Sequence, residues 1–373
     1  MAVASTGKSD LFVIGGGPAG LAAAIAASNR GLSVTLADGA IPPVEKPCGE
    51  GLMPETQVAL AELGVSLTSE DGYAFRGMRF LQQDAQVSAD FAERRGLGIR
   101  RTLLHEKLIT KAEQCGVRML WKTPVVGIEH GGVVLSSGFQ PARWIVGADG
   151  CGSRVRRWSG LDKSNRKTQR HALRRHYRMR PWSQYMEIYW GRGVQAYVTP
   201  VGRQEVCLVM TADCAENVCF DDALENWPEL KLRLAKEVLS SRERGILTFM
   251  HSLRAVCKDN VALVGDASGG VDAITGEGLR LAFRQAAALA AALAQNSLRD
   301  YAEAHRKLAR RPMMMGNILL TLGRSERLRV RLLQKLAKNP ELFSRLIAIH
   351  CGDVAPTQLL YTGAALSWRF LTA

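Results

Sequence analysis

A short run near the start of the chain has the residue types and spacing of a phosphate cradle. The apolar stretch Leu11-Phe12-Val13-Ile14 runs straight into Gly15-Gly16-Gly17-Pro18-Ala19-Gly20, a G-x-G-x-x-G pattern. At that spacing Gly15 permits a tight turn, Gly17 lets a pyrophosphate approach the backbone, and Gly20 lets helix and strand pack closely. The helix that follows offers free N–H groups and the positive end of its dipole to phosphate. Asp38 ends the next expected strand, 18 residues after Gly20. A carboxylate there can accept both hydroxyls of a ribose. An acid disfavours a 2′-phosphate, so the expected resident nucleotide is FAD or NAD rather than NADP.

Two further segments repeat the logic of a glycine turn beside an acid. Ile145-Val146-Gly147-Ala148-Asp149-Gly150 is a strand entering a D-G turn, with a helix led by Ser153 behind it. Val261-Ala262-Leu263-Val264-Gly265-Asp266 is a strand entering a G-D turn, followed by a loop and a helix expected to begin at Gly276, with Gly278 in its first turn. Asp266 can bind a ribityl hydroxyl of a flavin. The N-terminus of the Gly276 helix can set N–H groups and its dipole against a flavin carbonyl.

Lys46-Pro47-Cys48-Gly49-Glu50-Gly51-Leu52-Met53-Pro54 is the most distinctive local phrase. Its glycines allow close approach to a flat ring. Cys48 and Glu50 are the candidate catalytic residues, Glu50 as a proton donor. The plainer readings are a small buried residue for Cys48 and a cap of the Pro54 helix for Glu50. No cluster of metal-ligand spacing is seen, so no metal is expected.

These residues need a strand–turn–helix–strand unit to position them. Leu11–Ile14 and Ser33–Ala37 read as strands, with the alanine-rich Leu21–Ser28 as the helix between. Pro54–Leu63 and Leu103–Gln114 read as helices, and Trp144–Gly147 as a core strand. Met78–Leu81, Gln86–Phe91 and the alternating stretch from His176 to Met210 read as strands of a second, mostly antiparallel sheet. Phe220–Lys236 reads as one helix. The expected fold is α/β: a discontinuous nucleotide-binding domain (1–70, 98–175, 255–300), an inserted substrate-binding sheet (71–97, 176–254) and C-terminal helices (301–373).

The 373 residues are 47% apolar and carry a formal charge of +14. Eleven Lys or Arg and one acid lie between Arg154 and Arg180, a run expected to be solvated surface. Leu328, Leu332, Leu333 and Leu336 form an apolar stripe flanked by basic residues. It is expected to pack on the body, with peripheral contact to an anionic membrane as the alternative. No apolar run is long enough to span a bilayer. The eight cysteines show neither a C-x-x-C pair nor a secreted disulfide pattern. No leader is evident, so the cytoplasm is the expected location, with the inner membrane face as a peripheral site. No nucleic-acid motif is present.

The three glycine motifs resemble, in order and spacing, those of the glutathione-reductase-type flavoproteins of the aromatic-hydroxylase kind, which include the geranylgeranyl reductases. The resemblance covers roughly residues 10 to 300. It implies FAD as cofactor, held by Gly15, Gly17, Ala19, Gly20, Asp38, Asp149, Gly150, Gly265, Asp266, Gly276 and Gly278. It also implies that Arg101, in an R-x-x-L helix start, reaches the FAD phosphate or flavin edge, and that the backbone at Val126 holds adenine. There is no second G-x-G-x-x-G on a strand–helix unit, so NADH or NADPH would visit transiently. Only Tyr197 and Pro200 match the aromatic strand of isoprenoid reductases. The leading expectation is an NAD(P)H-dependent monooxygenase acting on a small lipophilic or aromatic substrate: phenolic, quinone or polyketide-type. The alternative is a geranylgeranyl-reductase-like reductase of isoprenoid C=C bonds. A binding protein without catalysis, like prenyl-chain escort proteins, is the third. Oligomeric state is not legible.

Overall fold

The computed structural model describes residues 9–83, 85–213 and 219–351, with the backbone alone of 164–167. Two large sheets organise it. In the first, the strand Ser9–Ile14 pairs in parallel with Val34–Ala37 on one side and with Gly138–Gly147 on the other. Val261–Leu263 and Arg118–Leu120 extend it in parallel beyond these two. Leu11 to Ile14 are buried without alternation, as expected of a parallel strand covered on both faces. The helices Pro18–Ser28 and Gly278–Ala294 lie against each other over this sheet. Their alanines let them approach closely, and Ala22, Ala24, Ala27 and Ala286 have no exposed surface.

The second sheet has nine strands. Ser164–Arg178 lies between Glu205–Asp213 and Arg244–Leu253, antiparallel to both. Val194–Gly202, Tyr185–Trp190, Gly77–Gln82 and Ala85–Asp90 follow in that order, and the Tyr185–Trp190 and Gly77–Gln82 pair is the parallel one. The fold is thus the expected α/β combination of a parallel nucleotide-type sheet, a mostly antiparallel sheet and C-terminal helices.

The structure departs from the sequence reading in three places. The basic run expected to be solvated contains the strand Ser164–Arg178. Its alternate residues Arg170, Ala172, Arg174 and His176 are all at most 4% exposed. A strand sends every second side chain to the same face, and here that face meets acids from other segments. Phe220–Lys236 is not one helix but two, Phe220–Leu224 and Pro228–Leu234. Pro228 has no N–H to continue a helix and forces Trp227 out of helical conformation. The third departure is the start of the long alanine-rich helix, which begins at Gly278 rather than Gly276.

Of the C-terminal helices, Glu326–Ala337 and Pro340–Cys351 cover the second sheet's far strands, while Leu298–Gly323 lies mainly against the helix Gly278–Ala294. Leu333 and Leu336 are buried, in one cluster with Phe343, Ile347, Met78 and Trp190. The stripe therefore faces inward, although Leu328 stays 39% exposed. Arg329, also buried, donates to Gln82 Oε1 at 3.2 Å and to the Gly191 carbonyl at 3.2 Å. Its guanidinium sits 5.8 Å from the Trp190 ring centroid. Among the described residues no helix is long and apolar enough to cross a membrane.

Candidate functional site

A cavity of about 620 Å³ opens between the two sheets. Its floor is the glycine turn. Gly15 has φ +109°, and a Cβ there would lie 2.5 Å from the Ala148 carbonyl oxygen. A Cβ on Gly20 would lie 1.8 Å from the Gly15 carbonyl oxygen. These two glycines are fixed by packing within the protein. Gly17 is different: nothing lies within 4 Å of its Cβ position, and it lines the cavity. That open side is the room a pyrophosphate needs.

Asp38 is held in place by the turn. Its Oδ2 accepts from Gly16 N at 2.6 Å and its Oδ1 from Ala40 N at 2.8 Å. Beside it, the buried His105 shares a 2.7 Å hydrogen bond between Nε2 and the Gly16 carbonyl. Val44 N donates to Nδ1 at 3.1 Å, so the proton resides on Nε2. Burial holds this imidazole below its ordinary pKa, so it stays neutral and pins the turn. Sequence reading passed over His105. The signal available was its spacing, one helical turn after Arg101 on the same helix face.

Arg101 opens the helix Arg101–Gln114 and lines the cavity. Its Nε is buried without a hydrogen-bond partner. A buried guanidinium N–H left unpaired at a cavity wall suits a polar or anionic occupant. With the open side of Gly17 and the acid at Asp38, this makes the floor fit FAD.

The other two motifs divide their work between structure and cavity. Asp149 faces into its own turn: it accepts from Ser153 Oγ at 2.5 Å, Arg154 N at 2.6 Å and Val155 N at 3.2 Å. Its carboxylate caps the helix Arg154–Trp158, and Gly150, at φ +80°, completes the turn on the cavity wall. Asp266 is half-exposed, lines the cavity and stands 3.6 Å from Lys46 Nζ. Gly265 is required because a Cβ would meet that of Ala19 at 2.6 Å. Ala19 thus packs the first motif against the third. Gly276, at φ +64°, ends a short 3-10 turn, and Gly278 begins the helix with open space at its Cβ. Both line the cavity. At the expected adenine strand, Pro124 and Val125 line the cavity, while the Val126 side chain is 51% exposed.

The loop from Val44 to Gly51 forms one wall. Cys48 lines it, its Sγ accepting from Glu50 N at 3.5 Å. Glu50 has φ +56°, an uncommon conformation for a residue with a side chain. Its carboxylate accepts from Arg101 N at 3.0 Å, from Arg174 Nη1 at 3.5 Å and from His176 Nε2 at 2.7 Å, with Arg100 Nε at 3.9 Å. It therefore caps the Arg101 helix rather than the Pro54 helix, whose early N–H groups of Thr56 and Gln57 go to the Met53 carbonyl. Arg174 also pairs with Glu45. The ligand-type atoms of Glu50, His176 and Cys207 lie within 4.8 Å of one another. The two guanidiniums beside Glu50 already supply positive charge, and burial pushes the Cys207 thiol well above its ordinary pKa, so these donors do not suit a cation. Arg174 and His176 were unreadable as site residues because nothing local says which face of their strand turns inward.

The roof comes from the second sheet. Met186, Tyr197, Val209, Ile246 and Phe249 give it apolar surface. The Tyr197 hydroxyl donates to Gln195 Oε1 at 3.1 Å, and burial pushes its phenol up. Arg170 donates to the same amide oxygen at 3.2 Å and to Asp272 at 3.1 Å. The Thr211 hydroxyl, buried at the cavity, has no hydrogen-bond partner.

Comparison with known proteins agrees with this geometry. The family model described as FAD binding domain matches residues 8–306. The menaquinone reductase of Mycobacterium tuberculosis is 27% identical over 298 residues, covering 73% of each chain. The putative 2-heptyl-3-hydroxy-4(1H)-quinolone synthase of Rhodococcus erythropolis is 28% identical over 303 residues, covering 76% of this chain and 79% of that one. A solved flavoprotein/dehydrogenase from Cytophaga hutchinsonii superposes with a TM-score of 0.81 at 20% identity, covering 95% of both chains.

Proposed function

The chain belongs to the FAD-binding-domain family and is an FAD-dependent oxidoreductase, and from that premise we propose that it is an NAD(P)H-dependent monooxygenase of a lipophilic phenolic or quinone-type substrate. One observation carries the reading: the nucleotide cradle and the mostly apolar roof share a single continuous cavity. A flat, greasy substrate seated under the roof lies against whatever the cradle holds.

The division of labour follows from the walls. Gly17, Asp38, Arg101 and the N-terminus of the Gly278 helix would hold FAD. Bound there, FAD supplies electron transfer from a nicotinamide and activation of oxygen. Met186, Val209, Ile246 and Phe249 grip the apolar body of the substrate and exclude water. The Thr211 hydroxyl, buried at the roof, can donate a hydrogen bond to a substrate oxygen, which orients the ring. The quinolone synthase named among the relatives supports hydroxylation.

A second reading, reduction of an isoprenoid C=C bond, is supported by the similarity to the digeranylgeranylglycerophospholipid reductase of Methanosarcina acetivorans, 27% identical over 299 residues. It is also favoured by Glu50, a carboxyl group at the cavity wall on the loop expected beside the ring. Product analysis with NADH or NADPH separates the two. Under labelled oxygen, hydroxylation places one labelled atom in the product. Turnover without oxygen, giving a product two hydrogens heavier, would replace the first reading with the second.

A further inference from the structure

Glu50, His176 and Ser241 form a hydrogen-bonded line from the cavity wall to the surface. Glu50 lines the cavity, and its Oε2 meets His176 Nε2 at 2.7 Å. His176 is 0% exposed, and its Nδ1 meets Ser241 Oγ at 2.6 Å. Ser241 is half-buried in the loop after the strand Val238–Leu239. Its hydroxyl has a second acceptor, the Arg242 carbonyl at 3.5 Å, so it can turn between the histidine and its own loop.

We propose that this line is a proton relay that carries a solvent proton to the occupant of the cavity. The inference rests on the oxidoreductase reading but not on the choice between its two forms. Hydroxylation consumes one NAD(P)H, one O2 and one proton, and yields the hydroxylated product, water and NAD(P)⁺. Reduction of a C=C bond consumes one NAD(P)H and one proton. In both, one proton per turnover must reach the occupant of the cavity. His176 takes a proton at Nδ1 from the Ser241 hydroxyl, which is restored from water, and passes its Nε2 proton to the Glu50 carboxylate, which hands it to the occupant of the cavity; a turn of the imidazole ring then resets the line for the next proton. No electron moves along the line.

The surrounding charges support this use. Arg174 and Arg100 face Glu50 at 3.5 and 3.9 Å. Each is held from its far side, Arg174 by Glu45 and Arg100 by Glu205 at 2.6 Å. The guanidiniums are thus fixed, while His176 is the group in contact with Glu50 that can exchange a proton. Cys207 sits opposite His176 in the adjacent strand, and burial keeps it a thiol, so it does not compete. The positive φ of Glu50 is the kind of strained backbone that persists where function requires it. A purely structural ion pair would need Arg174 and Arg100 but not Ser241.

The test is proton uptake by the FAD-loaded protein after flash photoreduction, read with a pH-indicator dye in weak buffer. It needs neither substrate nor nicotinamide, so it stands apart from the test of the proposed function. The relay predicts uptake about tenfold slower or worse in His176→Gln. It predicts a clear slowing in Ser241→Ala with unchanged FAD absorbance, and recovery of His176→Gly by added imidazole. Wild-type uptake rates in both His176→Gln and Ser241→Ala would overturn the relay. If His176→Gln fails to fold or to hold FAD, Ser241→Ala decides alone, because Ser241 touches only His176 and its own loop in the described contacts.

Discussion

Replacing Gly17 by alanine should separate cofactor binding from folding. Gly17 has φ −73° and ψ 177°, values that alanine adopts without strain. Nothing lies within 4 Å of the added Cβ, so the protein itself does not resist it. The only intrinsic cost is a poorer N-cap for the helix Pro18–Ser28, at most about 1 kcal/mol. The methyl group does enter the space assigned to the pyrophosphate. Displacing a charged phosphate from its backbone N–H partner costs about 1.5–3 kcal/mol, which is roughly a 10- to 100-fold loss of FAD affinity. Gly20→Ala is the contrast. Its Cβ would sit 1.8 Å from a backbone oxygen, which the strand and helix relieve only by moving apart, at about 1–3 kcal/mol or more of folding stability. The assay is FAD titration of the apoprotein by fluorescence quenching, alongside urea denaturation of the same apoprotein. Gly17→Ala should weaken FAD and barely move the denaturation midpoint, whereas Gly20→Ala should lower both. Unchanged FAD affinity in Gly17→Ala would refute the placement of the pyrophosphate at that glycine.

Three further outcomes follow from other parts of the molecule. Asp38→Ala removes the acceptor beside the turn and should weaken FAD about 10- to 100-fold, measured by the same titration; an unchanged affinity would remove Asp38 from the ribose site. His305 donates or accepts at 2.9 Å with Ser268 Oγ, and burial pushes its pKa down to about 4. The unfolded chain then binds the extra proton first, so stability is full above about pH 6.5 and falls as the pH drops from there towards 4, by up to about 3 kcal/mol. Denaturation at pH 7 and pH 4.5 should show that loss shrink in His305→Gln. Leu333→Ala, at a 2% exposed site, should cost about 2–5 kcal/mol, while Leu328→Ala should stay within about 0.5 kcal/mol; equal effects would mean that the stripe does not face the sheet.

Much of the nucleotide-binding half was legible because its signals are local. A glycine turn, an acid at the end of the next strand and an apolar run buried on both faces are each written within a few residues. Gly15, Gly20 and Gly265 are glycines because a Cβ would strike neighbouring atoms, and that kind of constraint leaves its mark in sequence. Asp149 shows the limit of the same reading. Its type and position suit a ligand contact, but capping the adjacent helix uses its carboxylate, and a D-G turn looks the same in either case. Pro228 was visible in the sequence, yet the helix was read straight through it.

The sequence by itself determined an α/β fold of the flavoprotein type and pointed to a phosphate cradle at Gly15–Gly20. Steric necessity at glycine and the dipole at a helix start act over a few residues, so a few residues suffice to declare them. Tertiary structure alone decided the wall opposite. A run of eleven basic residues reads as surface until pairing with Glu205–Asp213 and Arg244–Leu253 turns Arg170, Arg174 and His176 inward. Their partners, Glu45, Glu50 and Asp272, lie about a hundred residues or more away along the chain. Charge neutralisation between such distant segments is a property of strand register, and register is set by the packing of the whole sheet.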